Sequence, residues 1–364
     1  MRFLALLALR ALPRNPAPRI LGAVFCASAL LASSACDKKD RAPDWDRPGG
    51  KTPTAAAYPV PVETDAFPAD EPPEIQDALE TAAVSAGTSP PEGLRFITYN
   101  VENWLTMDRY IGGKLLKGAP KPESEKQAVV SILARHAPDV IGLSEVGNPA
   151  DLAELQQDLK AAGLNLPHSQ HTGGSDPVRH LGLLSRFPIT ATAKPAETEY
   201  QLAGRTFAIN RGILDVTIAA RHKSYRFLGA HLKSKRDSEQ GDQEAIRLSE
   251  ARLLRRHVMS ILKAKADARL IVYGDFNDTR ATPTIKTITG NYNDPTYLTA
   301  IPAKDSHHDA WTHHWALHDI YSRIDFIMVT RALRPEVDFP AAKIIDDAEW
   351  DKASDHRAVL AIFK

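Results

Sequence analysis

The acids, amides and histidines best placed to do chemistry in this chain stand where apolar runs stop. Leu270-Ile271-Val272-Tyr273 is an unbroken β-prone run that meets Gly274 and then releases Asp275, Asn277 and Asp278. Buried strands read as such runs, and functional groups gather at their ends. Gly, Asp and Asn also favour plain turns, so this stretch alone does not decide between chemistry and a bend. The same arrangement recurs along the chain. Asn100 lies near the end of Leu94 to Val101, Glu145 follows Val140 to Ser144, and His231 follows Phe227 to Ala230. Asp325 sits beside Arg323 at the start of Ile324 to Val329, and Ser354-Asp355-His356 precedes Ala358 to Phe363. Several oxygen ligands with two histidines supply what attack of water on a phosphate ester requires: a cation to offset charge, a base for the water and donors for the crowded phosphoryl oxygens.

Strands and helices must alternate to bring these ends together. Ser124 to His136 carries Val129, Val130, Ile132 and Leu133 at helical spacing, and Ala137-Pro138-Asp139 breaks it before the strand Val140 to Ser144. Asn148-Pro149 reads as a cap followed by a first-turn proline, and Gly163 as the stop of that helix. Further strands are expected over Leu181 to Ser185, Ile213 to Ile218 and Ser224 to Leu232, and a long helix over Gln243 to Lys265. Many strands with few helices predict stacked sheets flanked by helices, an α/β or α+β sandwich in one domain spanning residues 92–364.

Taken in order, Tyr99-Asn100-Val101-Glu102-Asn103, Glu145, His231, Gly274-Asp275-Phe276-Asn277, Arg323-Ile324-Asp325 and Ser354-Asp355-His356 resemble the endonuclease/exonuclease/phosphatase (DNase I-like) superfamily, in particular an exported bacterial subgroup. The resemblance covers roughly Leu94 to Phe363. It implies a four-layer sandwich, two mixed β-sheets face to face with helices outside. It also implies a divalent cation, Mg²⁺ first with Mn²⁺ or Ca²⁺ as alternatives. On this resemblance Glu145 holds the metal with Asn100 as ligand or supporting amide, and Asp355 serves the metal or its waters. Asp275 positions or deprotonates the attacking water, Asn277 donates to a phosphate oxygen, His356 contacts the phosphate and is oriented by Asp325, and His231 binds the phosphate or helps protonate the leaving oxygen. For Asp325 a salt bridge to Arg323 is the plainer alternative. The implied activity is hydrolysis of a phosphodiester, with nucleic acid the first expectation and a phospholipid head group or small phosphate ester the second. A non-catalytic surface lipoprotein is a third reading, which the complete acid and histidine set disfavours.

Leu232-Lys233-Ser234-Lys235-Arg236 follows His231 and offers Lys233 and Lys235 to substrate phosphates, unless the run is simply a solvated edge. Arg179 falls in a segment that the resemblance turns toward substrate. The stretch Ser306 to His318 is rich in histidine, yet His313 and His314 are adjacent, and His314 and His318 lack the intervening Glu of a zinc motif. A substrate-rim role for Trp311 or Trp315 is the better expectation.

Equal numbers of basic and acidic residues, 45 each, argue against a protein that coats polyanions by bulk charge, although local steering survives neutrality. Residues 1–35 read as an export leader, with Arg2, Arg10, Arg14 and Arg19 before an apolar run too short for a confident membrane span. Ser33-Ser34-Ala35-Cys36 resembles a lipobox, which implies acylation of Cys36 and a membrane-anchored lipoprotein facing the periplasm or exterior; plain secretion is the alternative. Residues 36–91, rich in Pro and Ala, read as a flexible tether. Both cysteines, Cys26 and Cys36, precede the folded region, so it has neither disulfides nor thiolate metal sites, and oxygen and nitrogen ligands suit a hard cation. A monomer is expected.

Overall fold

The computed structural model describes residues 93–236 and 241–364. The leader, the tether and Cys36 lie outside the described residues. Among those described, no helix is long and apolar enough to cross a membrane.

Two six-stranded mixed sheets carry the fold. The first comprises β1 (Leu94–Trp104), β4 (Val140–Val146), β5 (His168–Thr172), β6 (His180–Ser185), β17 (Lys343–Ile344) and β18 (Val359–Phe363), in the order β17-β18-β1-β4-β6-β5. The second comprises β7 (Ile189–Thr192), β10 (Ile213–Ala220), β11 (Lys223–Ala230), β12 (Leu270–Asp275), β13 (Leu298–Ala300) and β16 (Asp325–Thr330), in the order β13-β16-β12-β11-β10-β7. Each sheet has a parallel pair at its centre, β1 with β4 and β11 with β12, and antiparallel strands on both sides. Three hairpins stand apart: β2 (Met107–Ile111) with β3 (Lys114–Ala119), β8 (Glu199–Leu202) with β9 (Arg205–Ala208), and β14 (His313–Trp315) with β15 (Ile320–Ser322). None of the three hairpins was expected from the sequence pattern.

The helices are α1 (Glu123–His136), α2 (Pro149–Ala161), α3 (Gln243–Ala264), α4 (Pro283–Thr289) and α5 (Trp350–Ala353). The expected cap of α2 forms fully: Asn148 Oδ1 accepts from Ala150 N, and Asp151 returns the bond to Asn148 N. Three apolar layers result. Phe96, Phe227, Ile271, Tyr273 and Phe363 fill the space between the sheets. Ile97, Leu143, Val129, Leu133 and Leu155 bury the outer face of the first sheet under α1 and α2. Leu228, Leu270, Val272, Leu254 and Val258 do the same for the second sheet under α3. Successive residues of β12 therefore enter different layers, and both layers are apolar. This is why Leu270 to Tyr273 shows no polar alternation.

Tyr273 sets the spacing at the site end of this sandwich. Its ring meets Phe96 edge-on at 4.9 Å and lies where a side chain on Gly142 would be, so a Cβ there would overlap it. Gly274 follows with φ +133°, and a Cβ on it would overlap the carbonyl oxygen of Ala230. Only glycine satisfies both conditions. The Tyr273 hydroxyl is buried and has no hydrogen-bond partner among the described residues. Removing an unsatisfied buried hydroxyl while keeping the ring relieves a desolvation cost. Tyr273→Phe is therefore expected to leave stability unchanged or raise it by about 1 kcal/mol, whereas Gly274→Ala is expected to lose at least about 2 kcal/mol through backbone strain and overlap. Urea denaturation of the two variants checks both signs.

Candidate active site

The parallel pairs end at a common edge. There β1 delivers Asn100, β4 delivers Glu145, β11 leads into His231, and β12 ends on Asp275. β16 and β18 run the other way beside them, so Asp325 at the start of β16 and His356 before β18 arrive at the same place. The structure brings these six residues together from positions as far apart as Asn100 and His356.

Asp275 Oδ2 is the point of convergence. It lies 3.1 Å from Asn100 Nδ2, 3.4 Å from His231 Nε2 and 3.7 Å from His356 Nε2. Its other oxygen accepts the backbone N–H of Asn277 at 2.9 Å. Burial pushes the Asp275 carboxyl up to about 7; His356 and the bonds from Asn277 and Asn100 resist this, and Asp325 reinforces it. His356 Nδ1 faces Asp325 Oδ2 at 2.8 Å. Thr312 accepts from the backbone N–H groups of Ile324 and Asp325, which leaves its hydroxyl proton for Asp325 Oδ2 at 2.7 Å. Burial opposes charge on His356, yet Asp325, Asp275 and Asp355 prevail and push it up to about 10. His356 is accordingly an imidazolium at neutral pH. His231 is the opposite case: burial, then Arg211, His356 and Arg179, hold it well below its ordinary value and keep it neutral. Its Nδ1 has no hydrogen-bond partner among the described residues.

Arg323 donates to the Asp325 main-chain carbonyl at 2.8 Å and to Ala303 O at 2.9 Å, and the Asp325 carboxylate meets His356 and Thr312.

Two groups of side chains bring ligand atoms within 4.8 Å of one another: His313, Asp355 and His356, and Asp275, Asp325 and His356; a charged His356 has no lone pair to give, so the carboxylates and His313 are the candidate ligands for a cation. Glu145 lies beside them through Asn100, whose Nδ2 is 3.4 Å from Glu145 Oε1. Asn103 N donates to Glu145 Oε2 at 3.1 Å, and Asn100 Oδ1 accepts from Glu102 N at 3.0 Å. In this orientation Asn100 offers Glu145 an N–H rather than a lone pair, the geometry of a supporting amide. Asp355 stands on the other side, with His313 Nε2 at 3.7 Å and its own backbone N–H on Glu102 Oε2 at 3.0 Å. The carboxylate-rich donor set fits a hard divalent cation.

Glu102, Asn103, Glu145 and Asn277 all have left-handed backbone, with φ of 46°, 60°, 65° and 52°. Such conformations are costly for residues other than glycine and persist where surrounding bonds fix them. Here the fixing bonds are those just described, together with Asn277 Nδ2 to Leu232 O at 3.0 Å.

The basic run behaves less uniformly than its sequence suggests. Lys233 is buried near His231, while Lys235 pairs with Asp278 at 3.2 Å. Asp278 does more than turn the chain, since it is buried and also pairs with Arg247 of α3 at 3.1 Å. Arg179 reaches Glu145 at 3.8 Å. Trp311 is half-buried, with the Arg357 guanidinium 3.3 Å from its ring centre, whereas Trp315 is exposed.

Sequence reasoning missed Thr312, His313, Arg211 and Glu250. Glu250 is fully buried in α3 and accepts Asn210 N at 2.9 Å and Lys233 N at 2.7 Å. It thus clamps the segments leading into β10 and out of β11. The readable signal was a pair of charges, Arg247 and Glu250, in the apolar stripe of a long helix.

This arrangement has known counterparts. Residues 98–356 match the endonuclease/exonuclease/phosphatase family, and the chain belongs to that family. No curated protein sequence matches the chain. Among solved structures it is similar to an endonuclease/exonuclease/phosphatase family protein from Leptotrichia buccalis, at 17% identity and a TM-score of 0.52 over 74% of this chain and 99% of that one. The human Nocturnin catalytic domain is similar at 15% identity and a TM-score of 0.53, over 76% of this chain and 96% of that one. Beta toxin from Staphylococcus aureus is similar at 16% identity and a TM-score of 0.50, over 74% of this chain and all 100% of that one. At these identities the likeness shows the fold.

Glu250→Ala strands two buried N–H groups and is expected to lower stability by about 2–6 kcal/mol at roughly 1–3 kcal/mol for each. Glu250→Gln keeps one acceptor and should lose less. Denaturant midpoints for the pair give the order, and equal stability of Glu250→Ala and the parent would refute the clamp.

Proposed function

We propose that the chain is a divalent-metal-dependent phosphoesterase that hydrolyses a compact phosphodiester, a phospholipid head group or a small phosphate ester, by attack of water. The observation that carries the reading is the convergence on Asp275 Oδ2 of Asn100, His231 and an imidazolium of His356. Asp275 takes the proton of the attacking water. His356, kept charged by Asp325, offsets negative charge gathering on the phosphoryl oxygens. Asn277 has a second amide N–H for one of those oxygens, and neutral His231 contacts the phosphoryl group from the β11 side. When bound, the cation, held by Glu145 and by Asp355 with its neighbours, withdraws charge from the ester. Mg²⁺ is the preferred ion, with Mn²⁺ and Ca²⁺ as alternatives; a beta toxin variant from Staphylococcus aureus of similar fold has been crystallised with bound magnesium ions.

Two features move the substrate away from the nucleic acid that the motifs first suggest. A strand-tracking groove needs cations free to meet successive phosphates along its length, but Lys235, the outer lysine of the basic run, is paired with Asp278. The rim is apolar instead. Tyr110, Ile111, Leu115 and Leu116 are exposed on the β2–β3 hairpin, and Leu317, Ile320 and Tyr321 on the β14–β15 hairpin. Both hairpins are fastened to the site, the first by Arg109 donating to Asn103 O at 2.6 Å and the second by the bridge between His313 and His356. Export through the leader and tethering at Cys36 complete the proposal, placing the enzyme where lipid esters are at hand.

Sphingomyelin vesicles, bis(p-nitrophenyl) phosphate and plasmid DNA, each with Mg²⁺ and with EDTA, give the direct test. Cleavage of the lipid or the small ester, abolished by EDTA, is expected; cleavage of DNA alone would reverse the substrate order. Asp275→Ala and His356→Ala should each lose at least about 100-fold in kcat/KM, since removing a positioned acid or base typically costs 10²–10⁴.

The raised Asp275 carboxyl fixes the sign of the pH dependence. Its base form is lost as pH falls through about 7, well above the ordinary carboxylate range, while His356 keeps its charge up to about 10. The rate should therefore fall about tenfold per pH unit below that midpoint and be level above it. A kcat/KM profile that stays flat down to about pH 5 would remove Asp275 from the role of base.

A further inference from the structure

Beside the convergence point lies a group of cations that the hydrolytic chemistry does not use. Arg211 precedes β10 and is only 8% exposed. Its Nε and Nη1 are buried and have no hydrogen-bond partner among the described residues. The nearest acid is Asp176, whose Oδ2 is 3.4 Å from Nε but outside hydrogen-bond geometry. The other Asp176 oxygen is occupied by the backbone N–H groups of Val178 and Arg179. A buried guanidinium with idle N–H groups is costly unless an acceptor reaches it.

The surroundings are built to keep it there. Ser175 N and Asp176 N donate to Ile209 O and Asn210 O at 3.1 and 2.8 Å, joining the two loops that flank Arg211. Gly212, at φ +78°, has Gly173 O where a Cβ would be, so the loops touch backbone to backbone. Arg179 and the buried Lys233 share the electrostatic field of Arg211: after burial itself, Arg211 and Arg179 both disfavour charge on His231 and on Lys233. The acids facing these cations are Asp176, Glu145, Glu250 and, toward His231, Asp355. Both Glu250 oxygens are taken by main-chain N–H groups, and Glu145 is a ligand candidate for the cation. A fork of N–H donors with neighbouring cations is the arrangement that recognises a phosphate.

We propose that Arg211, with Arg179 and Lys233, forms a second anion subsite that takes a phosphate or phosphomonoester group of the substrate beside the ester that is cleaved. The subsite rests on the phosphoesterase reading for its purpose, though not for its anion affinity. It makes the preferred substrate a diester bearing a further terminal phosphate.

Two measurements test it on the full chain. Calorimetric titration of inorganic phosphate in EDTA should show saturable binding that Arg211→Gln weakens at least tenfold; no binding, or binding that the substitution does not change, overturns the subsite. Phosphate binding that depends on Arg211 in a protein that hydrolyses no ester keeps the subsite and rejects the phosphoesterase reading. The second measurement compares bis(p-nitrophenyl) phosphate with a p-nitrophenyl diester carrying a phosphomonoester on its other alcohol. Arg211→Gln should raise KM for the second at least tenfold more than for the first. Equal effects on both would place Arg211 on the scissile phosphate and overturn the proposal. Should Arg211→Gln not fold, Arg179→Gln, whose side chain is partly exposed, reads the same ratio.

Discussion

A single carboxylate oxygen ties the two sheets together at their working edge. Asp275 Oδ2 belongs to the second sheet, and the amide that meets it at 3.1 Å, Asn100, belongs to the first. Two imidazoles approach the same oxygen from the ends of neighbouring strands. Buried charge is tolerated only when it is paired and hydrogen-bonded, so this oxygen constrains everything around it. Asn100 must turn its N–H inward, His356 must be charged, and Asp325 must hold the far side of that ring. The carboxylate is a weak structural asset and a strong organising one. Its elevated proton affinity is the result of burial, which outweighs His356 and the bonds from Asn277 and Asn100.

Precision at this edge comes from the apolar layers rather than from the polar groups themselves. Tyr273 immediately precedes Gly274 and Asp275, and its ring is wedged between Gly142 and Gly229, the points at which a side chain would collide with it. The inter-sheet distance is thereby fixed two residues from the Asp275 carboxylate. Left-handed backbone at Glu102, Asn103, Glu145 and Asn277 is the local consequence. The strands end in a rigid frame, and the loops beyond them must bend sharply to face one another.

The fold was legible in the sequence to the extent that burial on both faces writes long apolar runs. Leu94 to Val101, Val140 to Ser144 and Leu270 to Tyr273 could be read for that reason, and the order of polar residues at their ends carried the family. The β2–β3 and β14–β15 hairpins were not legible, because their side chains are largely exposed and no alternation marks an inner face. Charge patterning could not show the pairing of Lys235, since nothing in a run of basic residues reveals a buried Asp278 at one end. His313 was hidden for the opposite reason: only the cross-chain bridge to His356 turns it toward Asp355. Arg211 and Glu250 depend on contacts between segments about 40 residues apart, Asn210 and Glu250 among them, that no local motif encodes.

The position of β18 has a consequence for how the protein comes into being. Residues 359–363 lie between β1 and β17, so the first strand of the first sheet lacks one edge partner until nearly the last described residue is available. His356, three residues earlier, completes the polar cluster at the same moment. On a ribosome, where the chain emerges in order, β1 can pair with β4 early, but its other edge stays open while more than two hundred residues follow. The polar cluster is thus the last part of the fold to be completed, and a chain cut short before residue 356 would leave Asp275 and Asp325 without their imidazole partner.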